Sequence, residues 1–459
     1  MTPLDYDLYT ATCLAYPRRT GPGWSLRQKR VLSQSNRISL SNFRVIPQSI
    51  IFMGGTVSIH LNLDRILLTI TGAAMAVAVA AGAQTPAPAA DPAPAAAPAQ
   101  APAPAAAPAA APTWSVGPMD LSGLIDGYYS YNYNRPGDLN NGQVNDLYNF
   151  NDKTDQFNLA EARLTINHDP DPVGAHVDLV FGRVNTFING GSHDQGDYLE
   201  QAFISFKPAK AKGFEADFGK FVTSAGAEVI ESKDNWNYSR SLLFAWAIPY
   251  WHFGLRTSMP VSKTDTIGVQ VVNGWNNVTT NNGGVTIGVT NALVKPKYTW
   301  NVNYYTGPSN FDTQKGYRNL IDTTLLLTPN AKFNAYINYD YGQNRDGQWY
   351  DGDSLVGDKA LNHWQGVAVA VHEQFTGTSA FALRGEFFHD NNGFETGANQ
   401  EVKEGTATYE YKWAEGLLAR LEYRYDWSTV PYFSKGDFNS ASGQQTLTAG
   451  FVAFFGPKR

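Results

Sequence analysis

The chain has 459 residues, of which 17% are charged and 13% aromatic, with 42 Gly and a formal net charge of −6. A globular domain carries about 25% charged residues, so this is not the composition of an ordinary helical enzyme. The mean hydropathy of −0.32 and the lack of a long apolar run beyond the N-terminal region exclude a polytopic helical membrane protein. What remains is an all-β chain rich in Tyr, Gly and Asn.

The first apolar segment has the order of a secretory signal. Arg65 precedes the apolar run 66–80, and Ala81-Gly82-Ala83 fits the small-x-small pattern of a signal-peptidase site. We expect residues 53–83 to be a signal peptide cleaved near Ala83, and residues 1–52 to be an upstream extension. A single membrane anchor and a long targeting extension are the alternatives.

The next segment, residues 84–113, is of low complexity, with 16 Ala and 9 Pro. Repeated Ala-Pro favours an extended polyproline conformation, so we expect a linker, either a leader or a tether toward the cell wall. The only cysteine, Cys13, lies upstream, which excludes disulfides and thiolate chemistry from the mature chain. Removing the eight Lys or Arg and three Asp or Glu of residues 1–83 leaves 27 basic and 38 acidic residues, a net charge of −11. This charge argues against nucleic acid as a partner.

From Asp120 onward, apolar and polar residues alternate. The alternation is clearest over 417–427, where one face carries Leu417, Ala419, Leu421, Tyr423, Tyr425 and Trp427 and the other carries Arg420, Glu422, Arg424 and Asp426. Burying four successive ionisable groups in a packed core would cost several kcal/mol each. A strand between lipid and a water-filled lumen avoids that cost.

Short turns and longer polar loops alternate between such segments, as in a transmembrane barrel. The pattern predicts an antiparallel up-and-down β-barrel over 114–459 with about 16 strands, while 14 or 18 would also place both termini on the periplasmic side. About 16 strands leave an aqueous channel. The predicted strands are 120–134, 155–168, 174–187, 198–208, 213–222, 249–259, 264–274, 284–293, 297–306, 318–328, 331–342, 363–374, 379–390, 401–413, 416–427 and 444–456.

Several short motifs, taken in order, resemble a known family. They are Phe218-Gly219-Lys220-Phe221, Gly226-Ala227-Glu228-Val229-Ile230-Glu231, Asn237-Tyr238-Ser239-Arg240-Ser241, His252-Phe253-Gly254-Leu255-Arg256, Arg384-Gly385-Glu386-Phe387-Phe388-His389-Asp390 and Leu421-Glu422-Tyr423-Arg424-Tyr425-Asp426. Together they resemble the OmpL-like group of the second beta-barrel porin family of bacterial outer-membrane proteins. The resemblance covers about 114–459 and implies an outer-membrane channel, without naming a solute or any catalytic residue.

The long loop 222–248 is the candidate for a constriction of the pore. It combines charged residues with the apolar run 242–248. We expect it to fold into the lumen and to narrow the pore, because a purely solvated loop would not be so apolar. The alternatives are a cap outside the barrel and a subunit contact. The constriction candidates from this loop and the wall are Glu228, Glu231, Arg240, Arg256, Arg384, Glu386, Arg420, Glu422, Arg424 and Asp426.

Rings of such charges set which solutes pass a pore, whereas a cross-strand ladder of ion pairs would serve stability. The sequence leaves both open, together with the choice between anions and cations. Aromatic clusters favour interfacial girdles over a sugar-stacking slide. These clusters comprise Tyr128, Tyr129, Tyr131, Tyr133, Tyr423, Tyr425 and Trp427.

Catalysis and cofactors have no support in the sequence. The candidate His-acid pairs, His372-Glu373 and His389-Asp390, are adjacent on strands and so point to opposite faces, and no metal-ligand spacing occurs. We expect no catalytic, cofactor or metal site and no enzyme activity.

The leading hypothesis is therefore a porin of the bacterial outer membrane for passive diffusion of small hydrophilic solutes or ions. The alternative is a plugged barrel that serves as a surface anchor or adhesin, binding through loops 135–154, 343–362 and 428–443. Expected partners are outer-membrane lipid and the barrel-insertion machinery, for which Phe451 and Phe455 resemble the usual C-terminal aromatic signal. A homotrimer is a candidate by analogy.

Overall fold

The computed structural model describes residues 115–137, 142–190, 196–310, 313–345, 348–351, 354–357 and 361–457. The expected upstream extension 1–52, signal peptide 53–83 and linker 84–113 lie outside the described residues.

Sixteen long strands form one closed antiparallel barrel, in which each strand pairs with its neighbours in the chain. The barrel strands are Met119–Asn132, Gln156–His168, Val173–Phe181, Leu199–Phe206, Glu215–Val222, Trp251–Pro260, Asp265–Val272, Thr286–Lys295, Tyr298–Pro308, Tyr317–Leu327, Phe333–Arg345, Leu361–Gln374, Ser379–Asn391, Gln400–Ala414, Leu417–Ser428 and Gly443–Phe455. The last strand pairs with the first, with Tyr128 opposite Gly450, and this pairing closes the barrel. The predicted fold class and the strand number of 16 are confirmed.

The two faces of the wall follow the alternation of the sequence. In strand Leu417–Ser428 the exposed residues include Leu421 and Trp427, while Arg420 and Arg424 are buried on the inner face. Exposed aromatic side chains ring both ends of the outer face. At the end with the short turns they include Tyr298, Trp300, Phe375, Tyr411 and Trp413, and at the end with the long loops Tyr133, Phe157, Tyr198, Tyr425 and Trp427. This distribution is that of an apolar band between two interfacial girdles.

Two local expectations are wrong. The predicted strand 174–187 ends at Phe181, because Gly182 has a φ of 93° and a short α-helix, Arg183–Asn189, follows it. A side chain at Gly182 would also meet the backbone carbonyl of Ala160 at 2.8 Å. Tyr128, grouped with the girdle aromatics, is instead buried on the inner face, where its hydroxyl accepts a hydrogen bond from Lys153 N.

Shorter elements lie at the barrel ends. Ser115–Val116 pairs with the start of the first barrel strand. Two small hairpins, Gln348–Asp351 with Ser354–Gly357 and Phe433–Lys435 with Asn439–Ala441, lie in long loops. Among the described residues, none of the helices is long and apolar enough to span a membrane.

Candidate functional site

The connection between strands Glu215–Val222 and Trp251–Pro260, residues 223–250, lies against the inner face of the wall and is called the inner loop. It contains a 3₁₀ turn, Ser232–Asp234, and a π-helical turn, Leu243–Ala247. The side chain of Asn235 shapes the first turn, because it accepts from Val229 N at 3.0 Å and donates to Val229 O at 2.8 Å. The loop therefore has a defined backbone of its own.

Wall carboxylates bind backbone N–H groups of the inner loop. Glu422 accepts from Tyr238 N at 2.6 Å and from Ser239 N at 2.9 Å. Glu386 accepts from Leu242 N at 3.1 Å and from Leu243 N at 3.3 Å. Hydrogen bonds to charged groups contribute more than those between neutral groups, so these two side chains fix the middle of the loop.

Wall arginines bind the carbonyls of the same segment. Arg420 donates to Asn235 O at 2.6 Å and also to Ser232 O. Arg424 donates to the backbone carbonyl of Arg240 at 2.7 Å. A guanidinium has five N–H donors, so each can bind both the loop and a wall carboxylate.

Arg384 connects the loop to several acids at once. Its Nη1 lies 2.7 Å from Glu228 Oε1 and donates to Ser239 O at 2.8 Å. Its Nε lies 3.0 Å from Glu386 and 3.4 Å from Glu404. All four side chains are buried, and removing one partner of a buried ion pair leaves an uncompensated charge.

The wall also holds the loop through Arg163, on strand Gln156–His168. This side chain contacts Glu231 of the loop and lies 3.4 Å from Glu161 and 3.5 Å from Glu200. The loop thus binds charged side chains on widely separated strands.

A third anchor lies near the start of the inner loop. Gly226 N donates to Asp322 Oδ1 at 2.9 Å. Asn303 Nδ2 donates to Ser224 O at 2.9 Å, and Gln270 Nε2 donates to Ser224 Oγ at 3.0 Å. The inner loop therefore crosses the barrel interior between distant parts of the wall.

Between the loop and the wall lies a cavity that opens to solvent, with about 460 Å³ of space including its mouth. Glu228 and Asp234 line it from the loop, and Asn301, Thr324 and Tyr336 line it from the wall. Ala227, Trp236 and Leu326 also line it, so the lining is both polar and apolar.

Aromatic side chains from the loops and from the wall pack in the barrel half near the long loops. We call Phe150, Phe244, Tyr250, Trp275, Trp364 and Phe394 the aromatic cluster. The Phe150 ring lies 5.7 Å from Tyr250, and the Trp364 ring lies 5.6 Å from Phe394. Trp364 Nε1 also donates to Ala247 O of the inner loop at 3.0 Å. The cluster packs the π-helical turn against the wall.

The candidate residues from the sequence thus divide by their contacts. Glu228 and Glu231 bind wall arginines, Arg240 donates to Ile230 O at 3.1 Å within the loop, and the wall residues Arg384, Glu386, Arg420, Glu422 and Arg424 bind the loop. Asp426 contacts Arg424 and not the loop: its Oδ1 lies 2.7 Å from Arg424 Nη2, and Arg424 in turn binds the loop. Arg256 pairs with Asp217 of the adjacent strand at 2.7 Å.

Three further acids were not identified from the sequence. Asp126 accepts from Ser232 Oγ at 2.5 Å, Glu404 lies beside Arg384, and Asp322 binds Gly226. Each occupies an inward position of an alternating strand, which is the sequence signal that could have identified it. Within the part of the chain that the structure describes, no group of three or more His, Cys, Asp or Glu side chains is arranged to hold a metal ion.

A closed 16-stranded barrel with an apolar outer belt, a polar interior and a long inward loop has the architecture of an outer-membrane porin. The family model described as "Putative beta-barrel porin-2, OmpL-like" matches residues 118–455. The chain belongs to this family, which places it in the bacterial outer membrane.

Among solved structures, the chain is similar to Salmonella typhi OmpF in complex with daunomycin, at 15% identity and a TM-score of 0.50 over 73% of this chain and 97% of that one. It is also similar to the outer-membrane channel DcaP of Acinetobacter baumannii, at 12% identity and a TM-score of 0.47 over 73% and 96%. A third similar structure is an anion-selective porin from Comamonas acidovorans, at 9% identity and a TM-score of 0.47 over 73% and 99%. At such low sequence identity, the similarity is evidence for a shared fold alone. A search of curated proteins found no match.

Proposed function

We propose that the protein is a passive diffusion channel for small hydrophilic solutes, narrowed by the inner loop. The observation that carries this proposal is the loop bound across the barrel interior by wall charges, beside a solvent-open cavity that Glu228 and Asp234 line. Flow would follow the solute gradient, with no cofactor and no covalent step.

Within this proposal the charged candidates have two roles. Glu228 lines the cavity and would meet the solute. Glu386, Arg420 and Glu422 would set the pore width indirectly, because they hold the loop backbone at its position. Rigid anchors of this kind keep a constriction at one diameter.

The second candidate function is the plugged barrel that binds a surface or a cell through its long loops. The aromatic cluster favours it, because aromatic rings packed between loops and wall exclude water from the space that they occupy. A plugged barrel would still present the loops at the ends of strands Met119–Asn132 and Leu417–Ser428 for binding.

Planar-bilayer recording of the purified mature protein separates the two functions. A diffusion channel gives stepwise conductance that is absent from a heat-denatured sample and from detergent alone. Persistent silence of a protein that is folded, as judged by its heat-dependent migration in gel electrophoresis, would contradict the channel and favour the plugged barrel.

We further propose that export removes the signal peptide, so that the mature chain begins at Gln84. The intact mass of protein isolated from outer membranes tests this start. A homotrimer stays a proposal by analogy with porins of this size. Light scattering of the detergent-solubilised protein would measure the number of chains.

A further inference from the structure

The cavity beside the inner loop is lined by a tryptophan of the loop, Trp236. The centre of its ring lies 5.1 Å from that of Tyr336 and 5.6 Å from that of His372, and the ring planes are inclined by 32° and 25°. Tyr336 and His372 belong to neighbouring strands of the wall. Part of the indole nevertheless stays exposed. The cavity therefore presents the surface of an aromatic ring to solvent.

The backbone on both sides of Trp236 is fixed to the wall. Arg420 donates to Asn235 O at 2.6 Å, and Asn237 Nδ2 donates to Thr408 Oγ1 at 2.8 Å. Together with the two wall rings, these contacts hold the indole in place before any ligand arrives. A preorganised contact surface lowers the entropic cost of binding.

Two polar side chains of the wall face each other at the same cavity. Asn301 and Thr324 are directly opposite on adjacent strands, and both line the cavity. Thr324 is 4% exposed, and its Oγ1 has no hydrogen-bond partner among the described residues. A buried hydroxyl without a partner is unfavourable. A ligand hydroxyl in the cavity, directly or through a water, would supply the missing partner.

The two carboxylates at the cavity already have basic partners. Glu228 pairs with Arg384 at 2.7 Å, and Asp234 pairs with the adjacent Lys233. These pairs give the site no strong preference for a charged ligand. The Asp234 side chain is 36% exposed, and a carboxylate has about four acceptor positions, so Asp234 can still accept a hydrogen bond from a neutral hydroxyl.

The cavity lies toward the end of the barrel with the short turns. Asn301, Tyr336 and His372 are each at most three residues from a strand end at a short turn. The aromatic cluster packs in the other half of the barrel. Short turns lie on the periplasmic side of outer-membrane barrels, so a solute would meet this cavity on the periplasmic side of the inner loop.

We propose that this cavity binds one ring of a neutral pyranose sugar, with the exposed part of Trp236 as the stacking surface. The hydroxyls of the sugar would bind Asn301, Thr324 and Asp234. The inference rests on the proposed diffusion function and names neutral sugars as its substrate class.

The chemistry of a pyranose ring fits this lining. The C–H groups on one side of the ring form an apolar face that packs on an aromatic ring, and the hydroxyls at its edge both donate and accept hydrogen bonds. Small-ligand sites combine an apolar surface with a few placed polar groups in this way. A channel must also release its solute, so we expect a dissociation constant in the millimolar range.

Saturation-transfer NMR on the purified mature protein tests the site, in a detergent without a sugar head group that could compete. The probes are maltotriose and cellotriose. Sorbitol has the hydroxyls without the ring, and choline is a small organic cation. Both trisaccharides should receive saturation and should bind at least about threefold more tightly than sorbitol or choline, the factor that an aromatic contact contributes. Maltotriose should also lower the single-channel current.

Trp236→Ala should weaken trisaccharide binding by about three- to tenfold, since it removes the stacking surface. The matched control is Trp413→Ala, which makes the same change on the outer face at the short-turn end, where Trp413 is 66% exposed; it should leave binding unaltered. Thr324→Val is the second variant, because the Thr324 hydroxyl has no described partner for the fold to lose. It should weaken binding by about two- to tenfold.

The outcomes separate the inference from the proposed function. A conducting barrel that binds neither trisaccharide, or that binds sorbitol or choline as tightly, overturns the inference and leaves the diffusion function standing. Binding that both Trp236→Ala and Thr324→Val leave unchanged overturns the assignment to this cavity. Sugar binding by a folded barrel without conductance overturns the diffusion function and supports the binding site alone.

Discussion

Replacing Glu422 with Gln should release the middle of the inner loop. Glu422 is buried and accepts from Tyr238 N at 2.6 Å, from Ser239 N at 2.9 Å and from Thr408 Oγ1 at 2.7 Å. The amide of Gln keeps one acceptor oxygen, but its NH₂ group must face a donor. One hydrogen bond to a charged group is then lost, and one buried N–H is left without an acceptor, which together cost about 2–4 kcal/mol.

Local opening of the loop should therefore become about 30- to 700-fold more frequent, because about 1.4 kcal/mol corresponds to a factor of ten. Hydrogen exchange followed by mass spectrometry, on protein in detergent micelles, would show the change in the peptide over 236–243. The loop should not leave the lumen, because Arg420 and Arg384 still hold its carbonyls.

The matched control is Glu373→Gln, on the outward face of strand Leu361–Gln374 at the short-turn end. It makes the same chemical change away from the inner loop and should leave exchange in 236–243 unaltered. Unchanged exchange in Glu422→Gln would refute the reasoning that this carboxylate anchors the loop. Faster exchange with unaltered single-channel conductance would show that the anchored segment is not the constriction.

Three further changes test the wall and the loops. Leu421→Arg, on the exposed outer face, should lower the free energy of unfolding by about 2–4 kcal/mol in denaturant titrations in phospholipid vesicles; a loss below about 0.5 kcal/mol would contradict lipid contact there. Burial raises the pKa of Glu395 to about 8, so the stability of its loop should be complete below about pH 4.5 and fall as the pH rises through 8. Exchange protection of that loop, corrected for the intrinsic rate, should follow this course, and Glu395→Gln should abolish the pH dependence. Gly450→Ala would place a Cβ 2.4 Å from the Tyr238 ring and should cost about 1–3 kcal/mol in the same titrations. Gly405→Ala, where a Cβ meets nothing within 4 Å, should be neutral, and equal losses in the two variants would contradict the packing argument.

The strands could be predicted because each one separates two solvents. In Leu417–Ser428, lipid selects Leu421 and Trp427 on one face while the polar interior tolerates Arg420 and Arg424 on the other, so the period of two is strong. The predicted strand 174–187 is wrong at its end because the alternation itself carries no stop signal there. The positive φ of Gly182, and not a change in hydropathy, ends that strand.

The roles of the charged residues were harder to predict, for a physical reason. The alternating pattern places Glu386, Arg420 and Glu422 on the inner face, but it does not indicate which groups they bind there. Their partners are mainly backbone N–H and C=O groups of the inner loop, and every residue has such groups whatever its side chain. A loop that binds through its backbone leaves little trace in its own sequence beyond the apolar run at 242–248. The sequence of the wall instead has many charged residues at inward positions, and many of these side chains bind the loop backbone.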